Sequence, residues 1–298
     1  MMWRRLDAAL LLDKPFGLSS NAALLAAKRL FRAAKAGHGG TLDPLATGLL
    51  PVFFGEATKF AGTLLEAEKE YQATLKLGET TVTGDAEGVV LERRPVRVSD
   101  AEIDRVLALF RGPIEQRPPM YSALKRDGAP LYRLARQGKI LDRPLRKVQI
   151  YALELIQRRQ DLLELRVRCS KGTYVRTLAE DLGAALGTGA HLAALRRTAA
   201  GKLELAQAVS LDALAGMSET QRERRLLPLQ RLLEDLPRAE LDRAAETRFR
   251  NGQGIRLDGL HAGLYGVYRC DGALIGLGQA AAGGDLKPRR LTSAFRVK

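Results

Sequence analysis

Short apolar runs alternate along the chain with polar, glycine-bearing turns. Ala8 to Leu12 is an unbroken apolar run and predicts a short buried strand. Ser19 or Ser20 can cap a helix running to about Arg32, with Leu24, Ala27 and Phe31 on one face. Leu49 to Phe54 is a second apolar run. Glu70 to Leu77 alternates polar and apolar positions and predicts a strand, Thr80 to Gly88 predicts a loop, and Val89 to Arg93 predicts a further strand. Ser99-Asp100-Ala101-Glu102 is a capping box, opening a helix with Ile103, Val106, Leu107 and Phe110 inward. Leu145 to Arg158 and Leu162 to Cys169 form a strand pair turning at residues 159–161. Gly172-Thr173 ends a strand and opens a helix to about Leu186. A charged helix pattern from about Ser218 to Leu236 stops at Pro237 and suggests a linker. Beyond it, glycines and the short runs Leu264 to Tyr268 and Ala273 to Leu277 suggest a small β-barrel-like module.

Charge sharpens this outline. The 298 residues carry 48 Lys and Arg against 34 acids, a net charge of +14. That balance favours a polyanionic partner, nucleic acid first. An anionic membrane would want a basic amphipathic anchor, and none is evident. No stretch reaches a membrane-spanning length free of charge, and the run Ala8 to Leu12 is too short for a signal peptide. Cys169 and Cys270 stand far apart with no C-x-x-C pair, so no zinc site and a reducing, cytoplasmic setting are expected. Residues 111–150 hold ten Lys/Arg and three acids, half of the net charge. Pro118-Pro119, Asp127-Gly128-Ala129-Pro130 and Gly138 break this stretch, and Tyr121, Tyr132 and Tyr151 interleave the basics. Such a segment suits a grip on folded RNA; the plainer alternative is a surface insertion. From Lys14 through Leu42 there is no acid, while Lys28, Arg29, Arg32 and Lys35 are present, which favours a phosphate contact.

The chemistry points to Gly37-His38-Gly39-Gly40-Thr41-Leu42-Asp43-Pro44-Leu45-Ala46-Thr47-Gly48. Glycines permit tight turns and close backbone approach, and Pro44 pushes Asp43 away from the α region. The expected result is a stiff loop presenting one acid; the alternative is an inert turn in which Asp43 caps a helix. The string resembles the G-G-T-L-D-P-x-A-x-G motif of the TruB family of tRNA pseudouridine synthases at every fixed position. Four more strings resemble that family's motifs: Lys14-Pro15, Gly17, Ser19-Ser20; Tyr121-Ser122-Ala123 with Lys125; Gly172-Thr173-Tyr174-Val175-Arg176; and His191-Leu192 with Leu195-Arg196-Arg197. Together they span residues 10 to 205 or so. The last segment resembles the family's PUA-like domain by position, size and Lys287-Pro288-Arg289-Arg290.

The resemblance implies an α+β fold: a pseudouridine synthase catalytic domain over 1–236, with a mixed, mostly antiparallel sheet flanked by helices. It implies an RNA-gripping insertion at about 111–147 and a PUA-like RNA-binding domain over 237–298. The implied activity is isomerisation of uridine to pseudouridine at position 55 in the T-loop of tRNA, by a monomer needing no cofactor or metal. In that reading Asp43 is the catalytic carboxylate, adding to the base or attacking or deprotonating the sugar. Arg176 keeps it ionised against desolvation and orients it. Tyr71 stacks on the base and is placed to move a proton. Tyr174 and Leu195 wall the base pocket, though either would serve equally as core. His38 enters the RNA and holds the base out of its stack. Lys14, Lys125, Arg126 and Arg197 contact RNA. Two other readings stay open: a non-catalytic RNA-binding or RNA-folding protein on the same scaffold, and a synthase of another family acting on ribosomal RNA. The latter typically centres on R-L-D, unlike the Gly39 to Pro44 string.

Overall fold

The computed structural model describes residues 2–122, 124–126, 128–139 and 141–293. The fold is α+β. Its principal sheet has eleven strands among the described residues and is mixed but mostly antiparallel. Along its main path it runs Val209–Ser210, Ala8–Lys14, Thr47–Phe54, Ala190–Ala200, Lys69–Leu77, Leu162–Cys169, Arg146–Arg159 and Gly112–Gln116. The alternation in Lys69–Leu77 is realised as expected: Ala73, Leu75 and Leu77 are buried, while Gln72 is exposed. Thr47–Phe54 is buried along nearly its whole length, so it reads as a continuous apolar run.

Helices form where the caps predict. Ser19 accepts from the Ala22 N–H to open Ser20–Leu30. The Ser99/Glu102 capping box opens Asp100–Leu109, whose Ile103, Val106 and Leu107 enter the core. Arg146–Arg159 and Leu162–Cys169 pair antiparallel, with Gln160 at φ +53 in the tight turn. The helix Val175–Ala185 begins later than Thr173, because Gly172 (φ +77) and the extended Tyr174 carry the turn before it.

Two expectations change. The pattern from Ser218 to Leu236 is no linker helix. Its helix is only Glu219–Glu223; Leu226–Leu227 then pairs antiparallel with Ala8–Lys14, and Pro228 precedes the 3-10 turn Leu229–Leu232. Burial of Leu229, Leu232 and Leu233 beside Leu49 and Phe53 outweighs helical propensity there. The basic stretch from Arg111 begins as part of the main sheet: Gly112–Gln116 is its edge strand, paired with Arg146–Arg159.

A second, five-stranded sheet is built from Arg238–Leu241, Gly263–Arg269, Leu274–Ala280, Asp285–Leu291 and Ile255–Arg256, and has the curl of a PUA-like half-barrel. It packs on the main body. Leu277 joins the core of Leu49, Phe53 and Phe60, and Lys59 Nζ donates to the Leu291 carbonyl at 3.0 Å. No helix among the described residues is long and apolar enough to cross a membrane.

Candidate active site

The Asp43 loop joins the strands Ala36–His38 and Thr47–Phe54. Three side chains from elsewhere pin it. Ser20, at the start of its helix, donates to the Leu42 carbonyl at 2.8 Å and accepts from the Leu42 N–H at 2.7 Å. Lys14 Nζ donates to the carbonyls of Pro15, Leu18 and Pro44 at 2.9, 2.5 and 3.4 Å. Arg197 donates from Nε to the Leu49 carbonyl at 2.7 Å and from a terminal nitrogen to the Gly40 carbonyl at 3.2 Å. The Gly17 N–H adds a bond to the Pro44 carbonyl at 2.9 Å. Gly48 (φ +96) lets Arg197 come this close, since a Cβ there would lie 2.4 Å from the Arg197 carbonyl oxygen. Every backbone polar group tied down in this way gives up a freedom the loop would otherwise keep.

Two of the expected RNA contacts have their donors turned inward. Lys14 and Arg197, expected to contact RNA, are 0 % and 1 % exposed. The Lys14 amine bonds its own turn and Pro44, and Arg197 bonds Gly40, Leu49 and the Tyr71 phenol, so in this structure both brace the loop. Burial lowers the Lys14 amine to about 8, against the pull of Asp43. The basic segment after Lys14 is also partly committed: the Lys28 amine sits over the Trp3 ring at 5.0 Å, and Arg32 pairs with Glu219. The side chains of Lys125 and Arg126 lie outside the described ones; their backbone forms a two-residue strand paired with Ala129–Pro130.

Asp43 presents a carboxyl with 42 % of its side chain exposed, beside an Arg176 side chain only 6 % exposed. The two meet at 3.0 Å. Arg176 sits in the first turn of Val175–Ala185, and its other contacts were not anticipated. One terminal nitrogen lies 3.4 Å from Asp85 Oδ2 and donates to the Thr83 carbonyl at 3.1 Å. The other donates to the Tyr121 carbonyl at 2.6 Å. Asp85, 2 % exposed, is held in turn by the Thr83 hydroxyl at 2.5 Å and the Glu87 N–H at 3.1 Å. The guanidinium therefore lies between two carboxylates. Burial raises the Asp43 carboxyl above its ordinary range; Arg176 pulls it down and Asp85 pushes it up. The arginine opposes the desolvation without cancelling it.

Tyr71 lies opposite Arg197 in the sheet register, and Leu195 opposite Ala73. Both Tyr71 and Leu195 are half-buried and pack against two cores, one holding Leu45 and the other Leu42 and Ala46. They thus form a surface under the loop. Burial raises the Tyr71 phenol, with Arg197 opposing, so the ring is neutral at physiological pH. Such a phenol can stack and donate but is a poor base. Tyr174 precedes the Arg176 helix and is half-buried; burial raises its phenol too. His38 ends Ala36–His38 opposite Val52. Its Nδ1 is buried without a hydrogen-bond partner, and burial with nearby Arg197 lowers its pKa, leaving a neutral ring.

Asp85 was missed because Gly84-Asp85 reads as turn punctuation. The only signal in the chain is an acid framed by Gly84 and Gly88, and turns commonly look like that. No group of three or more His, Cys, Asp or Glu among the described residues could hold a metal ion.

Comparison with known proteins agrees with this architecture. Residues 28–175 match the TruB family pseudouridylate synthase N-terminal domain, 176–239 the tRNA pseudouridylate synthase B C-terminal domain, and 237–292 the pseudouridine synthase II TruB C-terminal domain. The chain is 54% identical to a tRNA pseudouridine synthase B of Burkholderia mallei over 298 residues, covering 98% of each. It is 53% identical to one of Dechloromonas aromatica over 289 residues, covering 97% of this chain and 96% of the relative. Among solved structures, a chain of an H/ACA ribonucleoprotein bound to a substrate RNA containing 2'-deoxyuridine is similar with a TM-score of 0.74 and 25% identity, covering 97% of this chain and 86% of that one. A chain of a Cbf5-Nop10-Gar1 complex is similar with a TM-score of 0.73 and 27% identity, covering 96% and 83%. By domains that run through nearly all of its length and by relatives more than half identical to it, the chain belongs to the TruB family of pseudouridylate synthases, which are isomerases.

Proposed function

We propose that this chain isomerises uridine to pseudouridine at position 55 in the T-loop of tRNA, with Asp43 as the essential carboxylate. The observation that carries the reading is the Asp43–Arg176 pair at 3.0 Å, exposed on the acid's side and buried on the arginine's. A carboxylate so placed can meet a nucleotide while its counter-ion stays fixed. The reaction breaks the bond from the sugar to a base nitrogen and makes one to a base carbon, so atoms and electrons balance without a co-reactant. Addition to the base, attack on the sugar and removal of a sugar proton all require Asp43 ionised. Tyr71 stacks on the base, Leu195 and Tyr174 wall its pocket, and His38 fills the place the base leaves. A flipped base costs a few kcal/mol of stacking, and a flat neutral ring in the vacancy offsets part of it. We assign catalysis to residues 1–236, the RNA grip to the basic segment ending at about 147, and further RNA binding to 237–298. A protein that only binds RNA would not need a guanidinium buried between two carboxylates.

The test is an unmodified tRNA transcript, incubated with the chain and mapped for pseudouridine by carbodiimide primer extension. Wild type should give a new stop in the T-loop. Asp43→Asn should give none while binding normally, because affinity rests on many phosphate contacts. No stop with wild type would overturn the reaction; turnover by Asp43→Asn would overturn the residue.

A further inference from the structure

Gln116 is a buried amide where the basic segment leaves the main sheet. It ends the edge strand Gly112–Gln116 and is 3 % exposed. Its Oε1 accepts from the Tyr174 N–H at 3.0 Å, and its Nε2 donates to the Tyr174 carbonyl at 3.3 Å. The two partners fix which end of the amide is oxygen, since an N–H only donates and a carbonyl only accepts. Burying a primary amide is costly unless its polar ends are bonded, and both ends here are spent on one residue. Tyr174 stands at the cap of Val175–Ala185 in an extended conformation, and its own side chain makes no capping bond. Gln116 thus holds from a neighbouring strand the turn that delivers the helix.

Two residues beyond Tyr174 comes Arg176, and five beyond Gln116 comes Tyr121, whose carbonyl accepts from Arg176. The start of the basic segment therefore grips the helix entrance at two points. One sets the backbone of a pocket-wall residue, and the other touches the guanidinium that pairs with Asp43. We propose that Gln116 is a positioning residue for the isomerisation: it sets the Tyr174 ring against the base pocket and, through the same turn, Arg176 against Asp43. This rests on the isomerase reading above.

Gln116→Met keeps the length and volume of the side chain and removes both hydrogen bonds. Single-turnover rate on T-arm RNA at saturating enzyme should fall about ten- to a hundredfold, the scale expected of a small misplacement near reacting atoms. Affinity should stay within about threefold, because the phosphate contacts are untouched. Tyr174→Ala removes the ring but keeps the backbone groups that Gln116 holds, so in that background the same change should still lower the rate through Arg176, by a smaller factor than in the wild type, since residues acting through one another are not additive. If Gln116→Met does not fold, Gln116→Asn carries the test: it keeps the amide but is one methylene shorter, so it cannot span the Tyr174 N–H and carbonyl in the same way. An unchanged rate, or losses that multiply across the double mutant, would overturn the assignment of Gln116 while wild type remains active. A wild type that leaves uridine unchanged would overturn the isomerase reading, and this assignment with it.

Discussion

A single hydroxyl, that of Ser20, closes both backbone polar groups of Leu42, the residue next to Asp43. Ser20 is 2 % exposed, so water cannot replace it. Ser20→Ala should cost about 2 kcal/mol, the penalty for leaving buried backbone groups unpaired. Urea unfolding measures that loss. The single-turnover rate should fall as well, because Asp43 loses the anchor beside it; a destabilised variant with an undiminished rate would show that the clamp serves folding alone.

The Asp43 carboxyl is raised above its ordinary range. The folded state then holds a proton more tightly than the unfolded one, and stability falls as pH rises through the raised value. Asp43→Asn, which has no such charge to bury, should melt at or above the wild-type temperature at neutral pH. The difference should shrink on acidification. Wild-type rate should move in the opposite sense, falling with acid as the carboxylate is protonated. Melting curves and single-turnover rates over one pH series check both.

Asp85 shares Arg176 with Asp43 and pushes its carboxyl upward. Asp85→Asn retains an oxygen for Thr83 and Glu87 but removes the charge. The acid limb of the pH–rate profile should move to lower pH. The rate at neutral pH should fall about ten- to a hundredfold as the guanidinium shifts toward its remaining partner. An unmoved acid limb would separate Asp85 from the titration of Asp43.

Lys14 offers a clean separation of shape from affinity. Lys14→Met strands the carbonyls of Pro15, Leu18 and Pro44 and should cost about 1–3 kcal/mol. The slope of log affinity against log salt should not change, because the buried amine bonds three backbone carbonyls. Neutralising the exposed Lys287 and Arg289 should instead flatten that slope by up to about one unit per lost phosphate contact, with stability preserved. Filter binding across a salt series distinguishes the two.

The sequence shows the Asp43 loop because glycine and proline write backbone geometry locally. It shows the Lys69–Leu77 strand and the Ser99 helix for the same reason: alternation and capping are short-range. It hides what depends on segments meeting. In a chain of net charge +14, Lys14 and Arg197 look like two more surface cations. Only the folded chain brings the Pro44 carbonyl to Lys14 and the Gly40 and Leu49 carbonyls to Arg197. Asp85 looks like a turn residue until the Val175–Ala185 helix delivers Arg176 against it. Leu226 and Leu227 keep helical spacing with their neighbours, yet the open edge of Ala8–Lys14 offers them a ladder. Gln116 is one polar residue in a polar stretch, and its worth lies in Tyr174.

Arg197 ties Gly40 to Leu49, the two shoulders of the Asp43 loop. A jaw riveted on both sides does not gape to admit a guest. On the proposed reading, the motion of the encounter belongs to the RNA, which must swing a nucleotide outward to a waiting acid. Selectivity then becomes a property of the substrate's own looseness: RNA loops that surrender a base cheaply are taken, and rigid helices presenting the same letters are passed over.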